Sequence, residues 1–153
     1  MLPQEHFIYH GTINYADAAA IGASAAQNVQ IGTDSDFFCT KLEVFTRVDD
    51  TGRGMEFGDD QASAADGQGG WPDPACLIQV TDQGSDRTWH NEPVDGAVYR
   101  PGNRGFAKPR LVRFGTQLVV TITLLKSNAA GEGYDIRFCF SGWKDYNKLS
   151  AQG

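Results

Sequence analysis

GAVYRPGNRGFAKPRLVRFGTQLVVTITLLKSNAAGEGYDIRFCFSGW, residues 96–143, carries the most regular alternation in the chain. Leu118, Val120, Ile122 and Leu124 share one face of an extended segment, and Ile136, Phe138 and Phe140 share one face of the next, because side chains alternate with period two along a strand. The stretch reads as a strand at 97–100, a Pro/Gly-rich corner, a short strand at 109–113, and two long strands, 118–125 and 134–143, joined as a hairpin. One hairpin cannot bury its own apolar face, so the residues upstream must supply strands to cover it.

Those strands can be read in order. Residues 5–14 place Phe7 and Tyr9 on one side and His6, Ile8 and His10 on the other. Asp17 to Ala26 is Ala-rich, but it is short and interrupted by Gly22, so a loop or single helical turn is expected rather than a stable helix. A short strand at 27–31 points Val29 and Ile31 inward, and a turn rich in Asp and Ser follows. The strand 37–48 alternates Phe38, Thr40, Leu42 and Val44 against Phe37, Cys39, Lys41, Glu43 and Phe45. Further strands fall at 75–81, with Cys76, Ile78 and Val80 on one face, and at 87–90. About eight or nine strands and no long helix give an all-β fold, an antiparallel β-sandwich of jelly-roll-like type with an N-terminal arm and one long loop. The domain plan is an arm and first strand at 1–26, the sandwich at 27–146 and a tail at 147–153.

The long loop, 49–74, contains six Gly and almost no periodicity. Closing it costs only about 1.3 kcal/mol more than closing a six-residue connection. Its length is therefore tolerable, and loops of this kind carry contacts. Met55, Phe57 and Trp71 are its candidate anchors.

Composition narrows the function. The chain has 153 residues, 41% of them hydrophobic, with no apolar run near the roughly 20 residues needed to cross a bilayer. No membrane association is expected. The start lacks the basic and apolar regions of a secretory signal, so synthesis in a cytoplasm is expected. A net charge of −6 disfavours nucleic acid as a partner. The cations Arg100, Arg104, Lys108, Arg110 and Arg113 gather around the Pro/Gly corner, where they read either as solvated edge charges or as a contact for an acidic protein surface. Cys39, Cys76 and Cys139 form no C-x-x-C pair and read as reduced thiols within strands.

Equipment for catalysis is not evident. His6 and His10 would stand roughly 13 Å apart on a strand, too far to share a metal. The carboxylates Asp49, Asp50, Glu56, Asp59, Asp60 and Asp66 do not follow the EF-hand spacing and read as a solvated acidic loop. G-x-S-x-G, H-E-x-x-H and the phosphate-binding G-x-x-x-x-G-K-[ST] are absent. No enzyme activity, metal or cofactor is expected. Trp71, Trp89 and Trp143 leave sugar stacking open as an alternative.

The order of these features resembles a family of tailed-bacteriophage virion proteins. An acidic turn leads into a long strand, IGTDSDFFCTKLEVF at 31–45; a strand and turn follow, CLIQVTDQGSDRTWHNEPV at 76–94; then come the corner and strands, YRPGNRGFAKPRLVRFGTQLVVTITLL at 99–125, and a closing strand ending in G-x-K, FCFSGWK at 138–144. The pattern covers roughly residues 27–146. The resemblance implies a capsid decoration, or cement, protein with a jelly-roll-like fold. Such a protein sits on the outside of the head at junctions between major capsid proteins, in a homo-oligomer, a trimer or a dimer. The arm at 1–26, the 49–74 loop and the cationic corner are then the parts expected to meet neighbours. A tail or baseplate component and a carbohydrate-binding module are the alternatives.

Overall fold

The computed structural model describes residues 4–15, 19–50, 76–125 and 132–146, with the backbone path alone for 47–50 and 132–134. Among these residues, nine strands form two antiparallel sheets. They are β1 (Gln4–Tyr15), β2 (Ser24–Gln30), β3 (Asp36–Asp50), β4 (Cys76–Asp82), β5 (Arg87–Thr88), β6 (Val94–Asp95), β7 (Arg110–Val112), β8 (Gln117–Leu124) and β9 (Glu132–Asp145). Sheet A has the order β1-β9-β3-β7; sheet B has the order β2-β8-β4-β5, with β6 also on β4. From β1 to β4 and again from β7 to β9, the chain changes sheet at each step, which is jelly-roll connectivity.

The alternation read in the sequence builds the core. Leu118, Val120, Ile122 and Leu124 from β8, Cys76, Ile78 and Val80 from β4, and Ile136, Phe138 and Phe140 from β9 are all buried. Each large apolar side chain so buried contributes about 1.5–3 kcal/mol. Tyr15 ties the sheets together: its hydroxyl donates to the Ile122 carbonyl at 2.6 Å, from β1 across to β8. Burial of Cys39 and Cys76 pushes both thiols up to about 12, whereas Cys139 is half-buried and points away from the core, opposite in phase to Phe138 and Phe140.

Four expectations are corrected. First, β8 and β9 are not a hairpin. Each lies in the middle of a different sheet, bonded to strands distant in sequence, β8 to β2 and β4 and β9 to β1 and β3. Second, the two faces of β3 are not constant along its length. Thr40 is an extra residue between Cys39, which pairs with Gly142, and Lys41, which pairs with Ser141. This bulge shifts the phase, so Phe37 and Cys39 are buried before it and Leu42 and Val44 after it. Gly142 makes the bulge possible, since a Cβ there would lie 1.9 Å from the Phe38 carbonyl oxygen. Third, 97–100 is not a strand. Gly96–Tyr99 is a 3-10 turn capped by the Asp95 carboxylate, which accepts from the Ala97 amide. Fourth, residues 24–26, read as part of a loop, extend β2 instead.

Two sequence features carried by the resemblance are brought together at one end. Lys144, of the closing G-x-K, is buried beneath β1 with its ammonium 4.0 Å from the centre of the Phe7 ring. It reaches Asp34 of the acidic turn at 3.0 Å. Its bond to Lys144 holds the Asp34 carboxyl below the usual range. Asp36, buried in the same turn, accepts from the Phe114 amide at 3.1 Å. The acidic turn is thus a fastening between β3, β9 and the β7–β8 connection. Among the described residues, no helix is long and apolar enough to cross a membrane.

Candidate functional site

The cationic corner is a strap, residues 96–109, that runs along the outer edge of β3. β7 covers that edge only at Phe37 to Cys39. Beyond it the strap takes over: the Phe106 amide donates to the Thr40 carbonyl at 2.8 Å, and Asn103 Nδ2 donates to the Leu42 carbonyl at 2.8 Å. The Gly102 amide donates to Glu43 Oε2 at 3.0 Å. Gly105 is required at its position, with φ +80° and space for a Cβ only 2.7 Å from the Thr40 carbonyl oxygen. The Pro/Gly composition that marked a corner therefore encodes a close backbone approach to the sheet edge.

Aromatic side chains hold the strap from beneath. Phe106 meets Trp89 edge-on at 5.6 Å, and Trp89 meets Phe140 edge-on at 5.5 Å. The Arg110 guanidinium lies 5.1 Å from the ring centres of both Trp89 and Phe106, a cation–π arrangement on each. It also donates to the Trp89 carbonyl at 3.4 Å. Deeper in, the Tyr99 hydroxyl and His90 Nε2 share a hydrogen bond, and Gln79 Nε2 donates to the His90 carbonyl. Burial, with the Arg110 charge adding to it, pulls His90 below its usual value. Burial raises Tyr99.

The predicted contact residues thus separate. Arg104 and Lys108 are exposed on the strap, as is Arg113 beyond it; Arg100 is exposed and engaged in an interaction of its own. Arg110 is half-buried and serves as a clamp for the strap. Phe106, Ala107, Lys108, Pro109 and Arg110 line a recess of about 440 Å³. Met55, Phe57 and Trp71 lie outside the described residues, as do Glu56, Asp59, Asp60 and Asp66 of the acidic loop.

The tryptophans also part company. Trp89 is occupied by Arg110 and by its aromatic neighbours. Trp143 stacks on Phe38 at 5.6 Å and 13° on the outer face of sheet A. Leu111, opposite Phe38, and Ile8 extend that face and are exposed. Simple alternation along β3 groups Phe38 with Leu42 and Val44, which are buried, and so hides this group. Two bulky residues side by side at 37–38, followed by a half-turn change of phase, are the signal of the bulge.

No family model and no curated protein matches the chain. It is similar to a solved chain described as "Cyanophage Pam1 capsid asymmetric unit", with 12% identity, a TM-score of 0.45, and 95% of this chain and 89% of that chain covered.

Proposed function

We propose that this chain is a structural virion protein that binds the outside of a bacteriophage head at junctions between major capsid proteins and stabilises the shell. The observation that carries the reading is the strap. It is fastened to the β3 edge through backbone bonds and the Trp89–Arg110–Phe106 clamp, yet it leaves Arg104 and Lys108 in solvent beside a recess. A rigid ledge presenting cations fits a fixed acidic surface, because little conformational freedom remains to be lost on binding. The sequence resemblance to decoration proteins supplies the kind of surface. The role is binding without a reaction: each copy adds its association free energy to the assembled shell, and the many copies on a shell multiply weak contacts. On this reading the protein is made in the host cytoplasm and resides on the capsid exterior, with the major capsid protein as its partner.

Co-sedimentation with purified heads lacking the protein tests the assignment. The intact chain is expected to bind, and Arg104→Glu combined with Lys108→Glu is expected to weaken binding by at least about tenfold, most clearly at low salt. Unchanged occupancy of the double variant would remove the strap from the contact. Labelling of the chain on tails or baseplates in electron micrographs would instead favour a tail component.

A further inference from the structure

We infer that the β1 margin is a self-association surface, where two copies of this chain pair β1 with β1 antiparallel across a two-fold axis. Among the described strands β1 bonds only to β9, through twelve consecutive pairs without a bulge. In an antiparallel ladder every second residue turns its amide and carbonyl away from the partner. Among the described residues, no other backbone group meets those of β1 on that side. Natural sheets blunt such edges with short strands, lysines, prolines, bulges or covering segments. Sheet A does so on its opposite side, where β7 has three residues and the strap covers β3 from Thr40 to Glu43. Among the described residues β1 has none of these devices: it is long and without a bulge, no described segment covers it, and Gln4–Tyr15 contains no Lys, Arg or Pro.

Charge distribution marks the same margin. β2, the edge of sheet B, faces β1 across the sandwich. Glu5 is the one Asp, Glu, Lys or Arg in the nineteen residues of these two strands, whereas such residues make up 21% of the chain. Depletion of charge is the compositional sign of an interface centre.

A second copy is the occupant these features fit. Isologous pairing covers both free edges at once and closes, whereas a foreign strand would cover one edge and present another. With the axis at Ile8, that residue meets its own copy, His6 meets His10, Phe7 meets Tyr9 and Glu5 meets Gly11, so no carboxylates oppose each other. Ile8 is 47% exposed in the single chain. The same axis brings β2 towards its copy. A strip roughly 30 Å long and roughly 20 Å across both sheet edges buries about 600 Å² per copy, or about 1,200 Å² in total, at the lower bound of specific interfaces.

The inference does not depend on capsid binding and is tested without capsids. Sedimentation equilibrium of the intact chain over about 1–100 µM is expected to show a dimer. Ile8→Lys, which sets two ammonium groups against each other, is expected to weaken it at least about tenfold. Leu111→Lys on the opposite margin is expected to leave it unchanged. Circular dichroism melts confirm that both variants fold. As an independent readout, Ile8→Cys in a Cys139→Ser background is expected to form a disulfide-linked dimer on mild oxidation. A monomer throughout, a trimer, a dimer indifferent to Ile8→Lys, or absence of the cross-link would overturn the inference.

Discussion

The two margins of sheet A solve the same problem in opposite ways. On the β7 side, the edge of β3 from Phe37 to Glu43 is covered by a short strand and by a strap whose glycines lie against the sheet and whose cations project outward. On the β1 side, a long regular edge carries almost no charge and no cover among the described residues. The strap margin is covered within the chain as far as Glu43, so a partner docking there must be met by side chains. Among the described residues, the β1 margin still offers its backbone.

Removing the geometry that separates the margins should have the largest effect. Gly142→Ala places a Cβ 1.9 Å from the Phe38 carbonyl oxygen at the bulge, where β7 gives way to the strap. It is expected to cost about 3 kcal/mol in urea unfolding, because backbone rather than a flexible side chain must move. Gly105→Ala attacks the strap alone, and both its φ of +80° and its 2.7 Å approach to Thr40 oppose the change. A loss of about 1–3 kcal/mol is expected, together with altered tryptophan fluorescence as Trp89 loses its neighbours.

Asp34→Asn tests the fastening shared by β3 and β9. Lys144 is buried but Asp34 is about half-exposed, so the loss should be about 1 kcal/mol rather than that of a fully buried pair. Acidification probes the strap side without mutation. His90 titrates below its usual 6.5 in the folded chain, so the unfolded chain takes up its proton first. Stability is then complete above about pH 6.5 and falls as pH drops through the lower folded value. The urea midpoint should decline from pH 7 to pH 5, and His90→Asn should flatten that decline. Smallest of all, Arg104→Glu with Lys108→Glu should change stability by no more than about 0.5 kcal/mol, since both side chains are exposed. Those charges are expected to register only in binding.

Much of the fold was legible. The inward residues of β4, β8 and β9 follow from simple alternation, and the cationic corner was visible as a turn-rich segment with spaced Arg and Lys. What could not be read were relations at a distance. Arg110 looked equivalent to Arg104 and Lys108, but it is a clamp because Trp89 and Phe106 converge on it. The acidic turn and the closing G-x-K looked like separate marks, and their meeting as Asp34 and Lys144 needs the ends of β3 and β9 side by side.

The sequence alone determined that residues 96–143 contain strands with one apolar face each, since period-two alternation is a local property of the extended chain. Tertiary structure decided that β8 and β9 lie in opposite sheets, that β3 changes face at Thr40, and that residues 96–109 form a strap rather than a strand and corner. The physical reason is that alternation says which side of a strand is apolar but not which strand lies beside it. Pairing partners are selected by backbone hydrogen bonds and packing between residues far apart in the chain.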